Sequence, residues 1–437
     1  MNKKLILIFF VALAVRVALL VHVGDSFEPD HGQLANLVNW REGHGLSDTI
    51  TQADGSLTYQ PTARDLPGHG IIILTLWELT GTRSILPIKI LQIFLDSLMV
   101  FLLYGIGKKI FNEKISLLGA LFYSLYLPAA TLAVWPRRDA WVSFGIITAI
   151  YLFLRYLENQ KWRTCFGVGL VLAWTSYFRS TMIPIPLLFG YLISLFHGWK
   201  KSLTPTVLMG ILILSALLPW GIRNYKTFNG KMILTEVNFY QSMWEGFGQF
   251  PNPMGAINHD ALTEKQMRAA GYQGEFASIE YEDFLKPKVV EALQKHPWWY
   301  LGTIFRRIPR ALIVNRVHWG IFQKKNLEYH TFHLKTGRDM SLIQYALFML
   351  RENPGFLLTK CLDLVILVFA IYGLLLMWRT NRRYGLLLGS LPLYFMLVLI
   401  PIRMEGRYMT PIHWVFLLLM AYSLLHLKER LNKKVIS

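Results

Sequence analysis

The chain reads as an all-α polytopic membrane protein, and three features of its sequence predict this. Its apolar residues, 53% of the total, fall in long unbroken blocks instead of recurring at a strand or surface-helix period. Short basic tethers separate the blocks: Lys108-Lys109, Lys161 to Arg163, Lys200-Lys201, Arg379 to Arg383 and Lys428 to Lys434. One threading places every tether on the same, cytoplasmic side. The net charge of +18 then reports membrane topology, and nucleic acid is not expected as a partner.

The first block, Leu5 to Val23, follows Lys3 and Lys4 and is long enough to span a bilayer with its start in the cytoplasm. Arg16 interrupts it and no small-x-small site precedes Asp25, so a retained anchor is expected over a cleaved signal peptide. Residues 24–69 form a polar, acid-bearing connection placed outside. Spans follow near 84–107, 115–134, 139–157, 164–178, 180–197 and 203–220. A second polar stretch, 221–354, is also external and reads as a mixed helical domain. It carries Glu236, Glu245, Asp260, Glu264, the aromatic run His296 to Tyr300, and Arg306, Arg307 and Arg310. Spans near 356–378, 385–401 and 408–427 return the C-terminus to the cytoplasm. The organisation is thus an N-terminal transmembrane module over 1–220 with a catalytic first external loop (24–69), an external or interfacial domain over 221–354, and C-terminal helices over 355–437. Residues 70–82 and 298–322 are expected to be interfacial or partly embedded.

Several chemistries are disfavoured. There is no Gly-rich phosphate loop, internal repeat or low-complexity tract, which argues against a nucleotide-dependent mechanism. The two cysteines, Cys165 and Cys361, lie inside apolar blocks and support neither a disulfide framework nor a Cys-rich zinc site. His330 and His333 have metal-like spacing but no third ligand, and read as a loop pair. No cofactor is implied, and a divalent cation is left open. Arg16 and Asp96 lie within apolar helices and are expected to form a mutual structural pair.

The threading gathers Asp30, Arg64, Asp65, Arg137, Arg138, Asp139, Arg179, Arg223, Arg403, Glu405 and Arg407 on the outer face. Transfer of a group from a lipid phosphate needs a carboxylate to orient or deprotonate the acceptor and cations to stabilise the leaving phosphate. Arginine suits the second role because its fixed charge grips phosphate through two parallel hydrogen bonds. Two plainer readings stand beside these. Membrane-edge arginines also snorkel to headgroups, and Asp30 would equally serve as a solvated acid capping the helix that begins near His31. By composition alone Asp25 and Glu28 are equivalent to it.

The order of short motifs is more specific. Asp30 is followed by Leu34-Ala35 to Trp40, then by Gly43-His44-Gly45 and Arg64-Asp65-Leu66-Pro67-Gly68. Later come Pro219-Trp220-Gly221-Ile222-Arg223-Asn224 and Arg407-Tyr408 with Pro411. This order resembles the polyprenyl-phosphate-dependent glycosyltransferases of the GT-C fold. It is most similar to the glycosyltransferase family 39 and aminoarabinose-transferase-like group, related to protein O-mannosyltransferases. The resemblance implies a GT-C-type transmembrane bundle whose extracytoplasmic loops include interfacial helices. It makes Asp30 the counterpart of the catalytic acid and Asp139 that of a second acidic residue. Arg64, Arg223 and Arg407 correspond to donor-phosphate or structural residues, with Arg138 added from the outer cationic set; His31, Asp65 and Tyr408 are further site candidates. His31 stands where the family often has a second acid, and Arg-Asp-Leu-Pro replaces Arg-Pro-Pro.

The expected activity is transfer of a sugar, with inversion, from a polyprenyl-phosphate donor to an extracytoplasmic acceptor, which is a protein, a glycolipid or a cell-envelope polysaccharide. Membrane lipids are the other expected partners. No Asn-x-Ser/Thr acceptor occurs, in keeping with a bacterial inner membrane. The alternative is a transporter or flippase for a lipid-linked sugar, which would show midplane polar groups and repeated halves.

Overall fold

A computed structural model describes residues 2–24, 33–52, 54–313, 342–352 and 354–436. Asp25, Glu28, Asp30, His31, His330 and His333 lie outside the described residues. The described chain is mostly helical, as expected of apolar blocks whose backbone N–H and C=O groups find no partner in lipid other than their own helix.

Helix α1 (Lys3–Val23) is capped by the Asn2 side chain and leads into the first connection. That connection holds α2 (Gln33–Arg41), strands β1 (Ser47–Thr51) and β2 (Leu57–Pro61), and α3 (Gly68–Thr80). The bundle continues with α4 (Leu86–Ile110), α5 (Glu113–Leu125), α6 (Leu127–Val134), α7 (Arg138–Asn159), α8 (Trp162–Ser176), a 3-10 turn at Ser180–Met182, α9 (Ile185–His197) and α10 (Trp199–Thr227). The second connection carries α11 (Phe239–Phe247), α12 (Asp260–Ala269), α13 (Ile279–Lys295), α14 (Pro297–Leu312) and α15 (Leu342–Glu352). Helices α16 (Pro354–Thr380) and α17 (Arg382–Leu399), a 3-10 segment (Gly406–Ile412) and α18 (His413–Ile436) close the chain.

Nine of the ten predicted spans each coincide with one helix, and 115–134 coincides with the pair α5 and α6. Among the described residues seven are long and apolar enough to cross a membrane: α1, α4, α7, α9 with its 3-10 turn, α10, α16 and α18. The α5–α6 pair is long and apolar enough only when taken together, as a broken span or a re-entrant pair bent by 52°. Helices α8 and α17, also predicted as spans, fall outside this set. By element order the basic tethers close one end of the bundle and both long connections leave from the other.

The bend between α5 and α6 has a sequence cause. Pro128 has no N–H to offer the Ser124 carbonyl four residues back, and Tyr126 leaves the helix with ψ 104°. Arg16 takes over that carbonyl with Nη1 at 2.8 Å. Arg16 is fully buried and ion-paired with Asp96 of α4, whose other oxygen accepts from Tyr123 Oη at 2.7 Å. The expected Arg16–Asp96 pair is therefore present, and it repairs a proline break while joining α1, α4 and α5.

The two-stranded hairpin was not expected from the sequence. Its strands pair antiparallel from Ser47↔Pro61 to Thr51↔Leu57. Gly55 takes the left-handed conformation in the turn (φ 83°), and Asp54 accepts from Ser56 N at 2.9 Å. The signal was an Asp-Gly turn between two short stretches rich in β-branched and aromatic residues. Helices α11 to α14 enclose an apolar core of their own, centred on Trp244, Phe247, Tyr281 and Leu285. The Glu282 carboxylate closes it, accepting the α11 backbone N–H groups of Tyr240 (2.6 Å) and Gln241 (2.8 Å).

Candidate active site

At the connection-bearing end of the bundle, segments far apart in sequence meet. Helix α3 starts hard against the end of α8: Gly68 N donates to Tyr177 O at 3.1 Å, and a side chain at 68 would meet that carbonyl at 2.7 Å. The next residue, His69, is buried. Its Nδ1 accepts from Trp141 Nε1 at 3.0 Å, which leaves Nε2 to donate to Pro136 O at 3.1 Å. A neutral histidine thus holds both flanks of the Arg137–Asp139 turn. Gln92 of α4 fixes the same turn by donating to Arg137 O at 2.9 Å.

Onto this turn an alternating chain of charge is built. Arg138 pairs with Asp65 at 3.1 Å. Asp139 pairs with Arg179 at 2.7 Å, and both are buried. The Arg179 guanidinium lies 4.5 Å from the centre of the Tyr408 ring, and Arg407 lies 5.4 Å from the same ring. Arg407 pairs with Glu405 at 3.0 Å, Glu405 with Arg403 at 2.9 Å, and Arg403 reaches the fully buried Glu245 of α11. Burial pushes the Glu245 carboxyl up, to about 8, against the downward pull of Arg403. Burial also lowers Arg403, but the carboxylates of Glu405 and Glu245 outweigh it and keep the guanidinium charged. The structure therefore brings together Asp65, Arg138, Asp139, Arg407 and Tyr408 of the residues the sequence singled out for the site.

Arg64 and Arg223 have no ion pair within this chain of charge among the described residues. Arg64 lies over the Phe276 ring at 5.7 Å and, among the described residues, has no carboxylate in ion-pair range. It borders a small recess with Gln33, Asn36, Asp65 and Pro67. Gln33 is the first described residue after Asp30 and His31. Before them, Gly24 closes α1, and its carbonyl accepts from Lys89 Nζ at 3.1 Å. Arg223 has its donors committed: Nη1 to Thr62 O and Nη2 to Leu46 O, each at 2.9 Å. Those carbonyls sit at the two feet of the hairpin, where Thr62 N also bonds Leu46 O at 3.0 Å. Arg223 thereby joins the hairpin to the end of α10, beside a cavity of about 520 Å³ lined by Trp40, Pro67, Tyr177 and Trp220.

Three contributors went unread in the sequence. His69 and Trp141 find each other only in space. Glu245 was noted merely as an acid of the external domain. A buried group near the Arg407 segment, in which Tyr126 Oη meets His413 Nδ1 at 2.6 Å and Asp363 at 3.5 Å, gave only scattered polar residues in three apolar blocks as its signal. Among the described residues no three His, Cys, Asp or Glu side chains are grouped to hold a metal ion.

Comparison with known proteins adds to this geometry. The profile of the family described as dolichyl-phosphate-mannose-protein mannosyltransferase matches residues 64–222, the stretch from Arg64 to the Pro219-Trp220 element. No curated protein matches the chain in sequence. In structure it is similar to the oligosaccharyltransferase of Archaeoglobus fulgidus tethered to an acceptor peptide (TM-score 0.54, 11% identity, 99% of this chain and 51% of that one). It is similar also to the complex of that archaeal enzyme, AglB, with an inhibitory peptide and a dolichol-phosphate (TM-score 0.53, 12% identity, 99% of this chain and 52% of that one). The chain spans about half the length of these proteins. Its fold is the multi-pass helical GT-C fold that the motif order suggested.

Proposed function

We propose that this protein is an integral membrane glycosyltransferase that moves a sugar from a polyprenyl-phosphate donor to an acceptor on the outer side of a bacterial inner membrane. The observation that carries the reading is Arg64. It is a half-buried guanidinium with no carboxylate partner among the described residues, it opens the stretch matched by the mannosyltransferase family, and it borders the same recess as Gln33, which follows the Asp30 segment. Four cations of the cluster face carboxylates: Arg138 faces Asp65, Arg179 faces Asp139, and Arg407 and Arg403 share Glu405. A phosphate therefore meets least competition at Arg64. The paired arginines set the shape and potential of the site.

In this reading the Asp30 carboxylate takes the proton of an acceptor hydroxyl or amide as its heteroatom attacks the anomeric carbon. The bond from that carbon to the phosphate oxygen breaks, and polyprenyl phosphate leaves with the electron pair, stabilised by Arg64. Attack opposite the leaving group inverts the anomeric centre. Arg223 serves as a clamp on the hairpin. Asp139 and Arg179 act as a buried pair that positions the Tyr408–Arg407 segment.

The test is a two-part assay on purified protein in proteoliposomes charged with labelled polyprenyl-phosphate-mannose and a delipidated envelope extract as acceptor mixture. The expected result is acceptor-dependent release of polyprenyl phosphate, with label moving to the extract. A flippase would move the donor between leaflets with its sugar–phosphate bond intact. That outcome would overturn the enzymatic reading.

A further inference from the structure

Helix packing brings two basic tethers that are far apart in sequence, residues 161–163 and 200–201, to the same cavity. It lies at the tether end of the bundle, away from the candidate active site, between α7, α8, α9 and α10, and has a volume of about 280 Å³. Its rim is exposed and includes Gln160, Trp162, Lys201 and Thr204. Its floor is apolar, with Cys165, Ile193 and Pro205 buried. Among the described residues no Asp or Glu lines it.

The local charge is one-sided. Lys201 has no carboxylate in ion-pair range among the described residues, and Glu158, two residues before Gln160, is taken by Lys109. One wall is held by His197, whose Nε2 donates to Leu157 O at 2.8 Å and so ties the end of α9 to α7. A third tether approaches here: the Arg383 guanidinium of α17 lies 5.9 Å from the ring of Phe196, the residue before His197. Cations around an opening with an apolar floor suit a molecule that has a phosphate at one end and hydrocarbon at the other. Helix α10 continues the apolar path, because Leu203, Val207, Ile211 and Leu214 are exposed along a membrane span that starts beside Lys201.

We propose that this cavity binds the headgroup of an anionic phospholipid. Lys201 holds the phosphate, Trp162 covers the glycerol backbone, and the first acyl carbons rest on Pro205 and Leu208 before the chain runs along α10. A bound lipid then links the tether ends of α7, α9 and α10. The site is separate from Arg64, which stands at the other end of the bundle, and the proposal does not depend on sugar transfer. A soluble phosphate shares the headgroup chemistry but gains nothing from the apolar floor.

The test is native mass spectrometry of the full-length protein released from detergent after titration with phosphatidylglycerol, phosphatidylcholine or, as a chainless probe, glycerol 3-phosphate. Phosphatidylglycerol is expected to be retained under activation that strips phosphatidylcholine. Lys201→Gln is expected to weaken that binding about fivefold, as loss of one charge near a phosphate implies. Thr204→Trp changes no charge and sits at an exposed position, but it fills the cavity and should abolish retention. Lys428→Gln, in the tether at 428–434, should leave retention as in the wild type. Equal weakening by Lys201→Gln and Lys428→Gln would reduce the effect to general attraction at a basic membrane edge and overturn the proposal. So would undiminished retention in Thr204→Trp, or glycerol 3-phosphate binding as tightly as phosphatidylglycerol, which would mark a soluble phosphate ligand.

Discussion

Replacing Arg223 with alanine separates a clamp from a phosphate ligand. The substitution removes three charge-assisted bonds, of which two, to Thr62 O and Leu46 O, each 2.9 Å long, hold the hairpin and the third goes to Asn224 Oδ1. Hydrogen bonds to charged groups contribute about 1.5–3 kcal/mol each, and the low end applies because Arg223 is only half-buried, so local opening of the hairpin should become easier by about 3 kcal/mol. At 1.4 kcal/mol per factor of ten this is a rise of roughly a hundredfold in hydrogen-exchange rates for the β1 and β2 amides, with other regions little changed. Lysine reaches one carbonyl and not both, so Arg223→Lys should recover about half of the effect in free energy. The assay is exchange mass spectrometry on peptides covering residues 46–62, paired with donor titration on the same preparations. Unchanged exchange in Arg223→Ala together with a tenfold or greater loss of donor affinity would refute the clamp and restore a phosphate contact.

The complementary outcome is expected at Arg64: Arg64→Ala should weaken binding of polyprenyl phosphate by roughly tenfold to a hundredfold, about 1.5–3 kcal/mol, without lowering thermal stability in detergent. Asp96→Ala leaves Arg16 charged and buried and should cost about 3–5 kcal/mol, read as a fall in unfolding temperature in detergent, whereas Asp96→Asn, which keeps an acceptor for Tyr123 and Arg16, should cost less. Glu245 carries a pH signature. Burial raises its folded-state value to about 8 from the ordinary 4.5, so its contribution to stability is full below about 4.5 and is lost as pH rises through 8. Glu245→Gln, neutral throughout, should flatten the decline in unfolding temperature over that window; an unaltered pH profile in the variant would exclude the carboxyl as its source.

Much of the fold was legible because membrane insertion writes itself plainly in sequence. Twenty-residue apolar blocks and basic tethers leave few alternatives, and all ten predicted spans are helical, one as the α5–α6 pair and two, α8 and α17, shorter or less apolar than a span requires. The Arg16–Asp96 pair was legible for the same reason: two opposite charges in apolar helices have few other ways to be satisfied. Partners that are backbone carbonyls leave no such trace. Nothing in the sequence distinguishes Arg223, which bonds the hairpin feet, or Arg307, which bonds the end of α17, from arginines that face a ligand. The hairpin escaped because one Asp-Gly turn in a polar loop is a weak signal beside the surrounding helical blocks. His69 was unreadable because its function depends on Trp141 and Pro136, far away in sequence, closing around it.

The central claim is that a carboxylate in the first connection drives sugar transfer beside Arg64. It is tested most directly by turnover of labelled polyprenyl-phosphate-mannose, with the envelope extract as acceptor, by purified Asp30→Asn in proteoliposomes, with Asp25→Asn and Glu28→Gln measured alongside. Asparagine keeps the size of Asp30 but cannot take the acceptor proton, and general-base catalysis contributes typically 10²–10⁴-fold. The account expects Asp30→Asn to lose at least about a hundredfold in turnover while binding the donor normally, with the other two variants near wild type. Turnover by Asp30→Asn within a few-fold of wild type would contradict it.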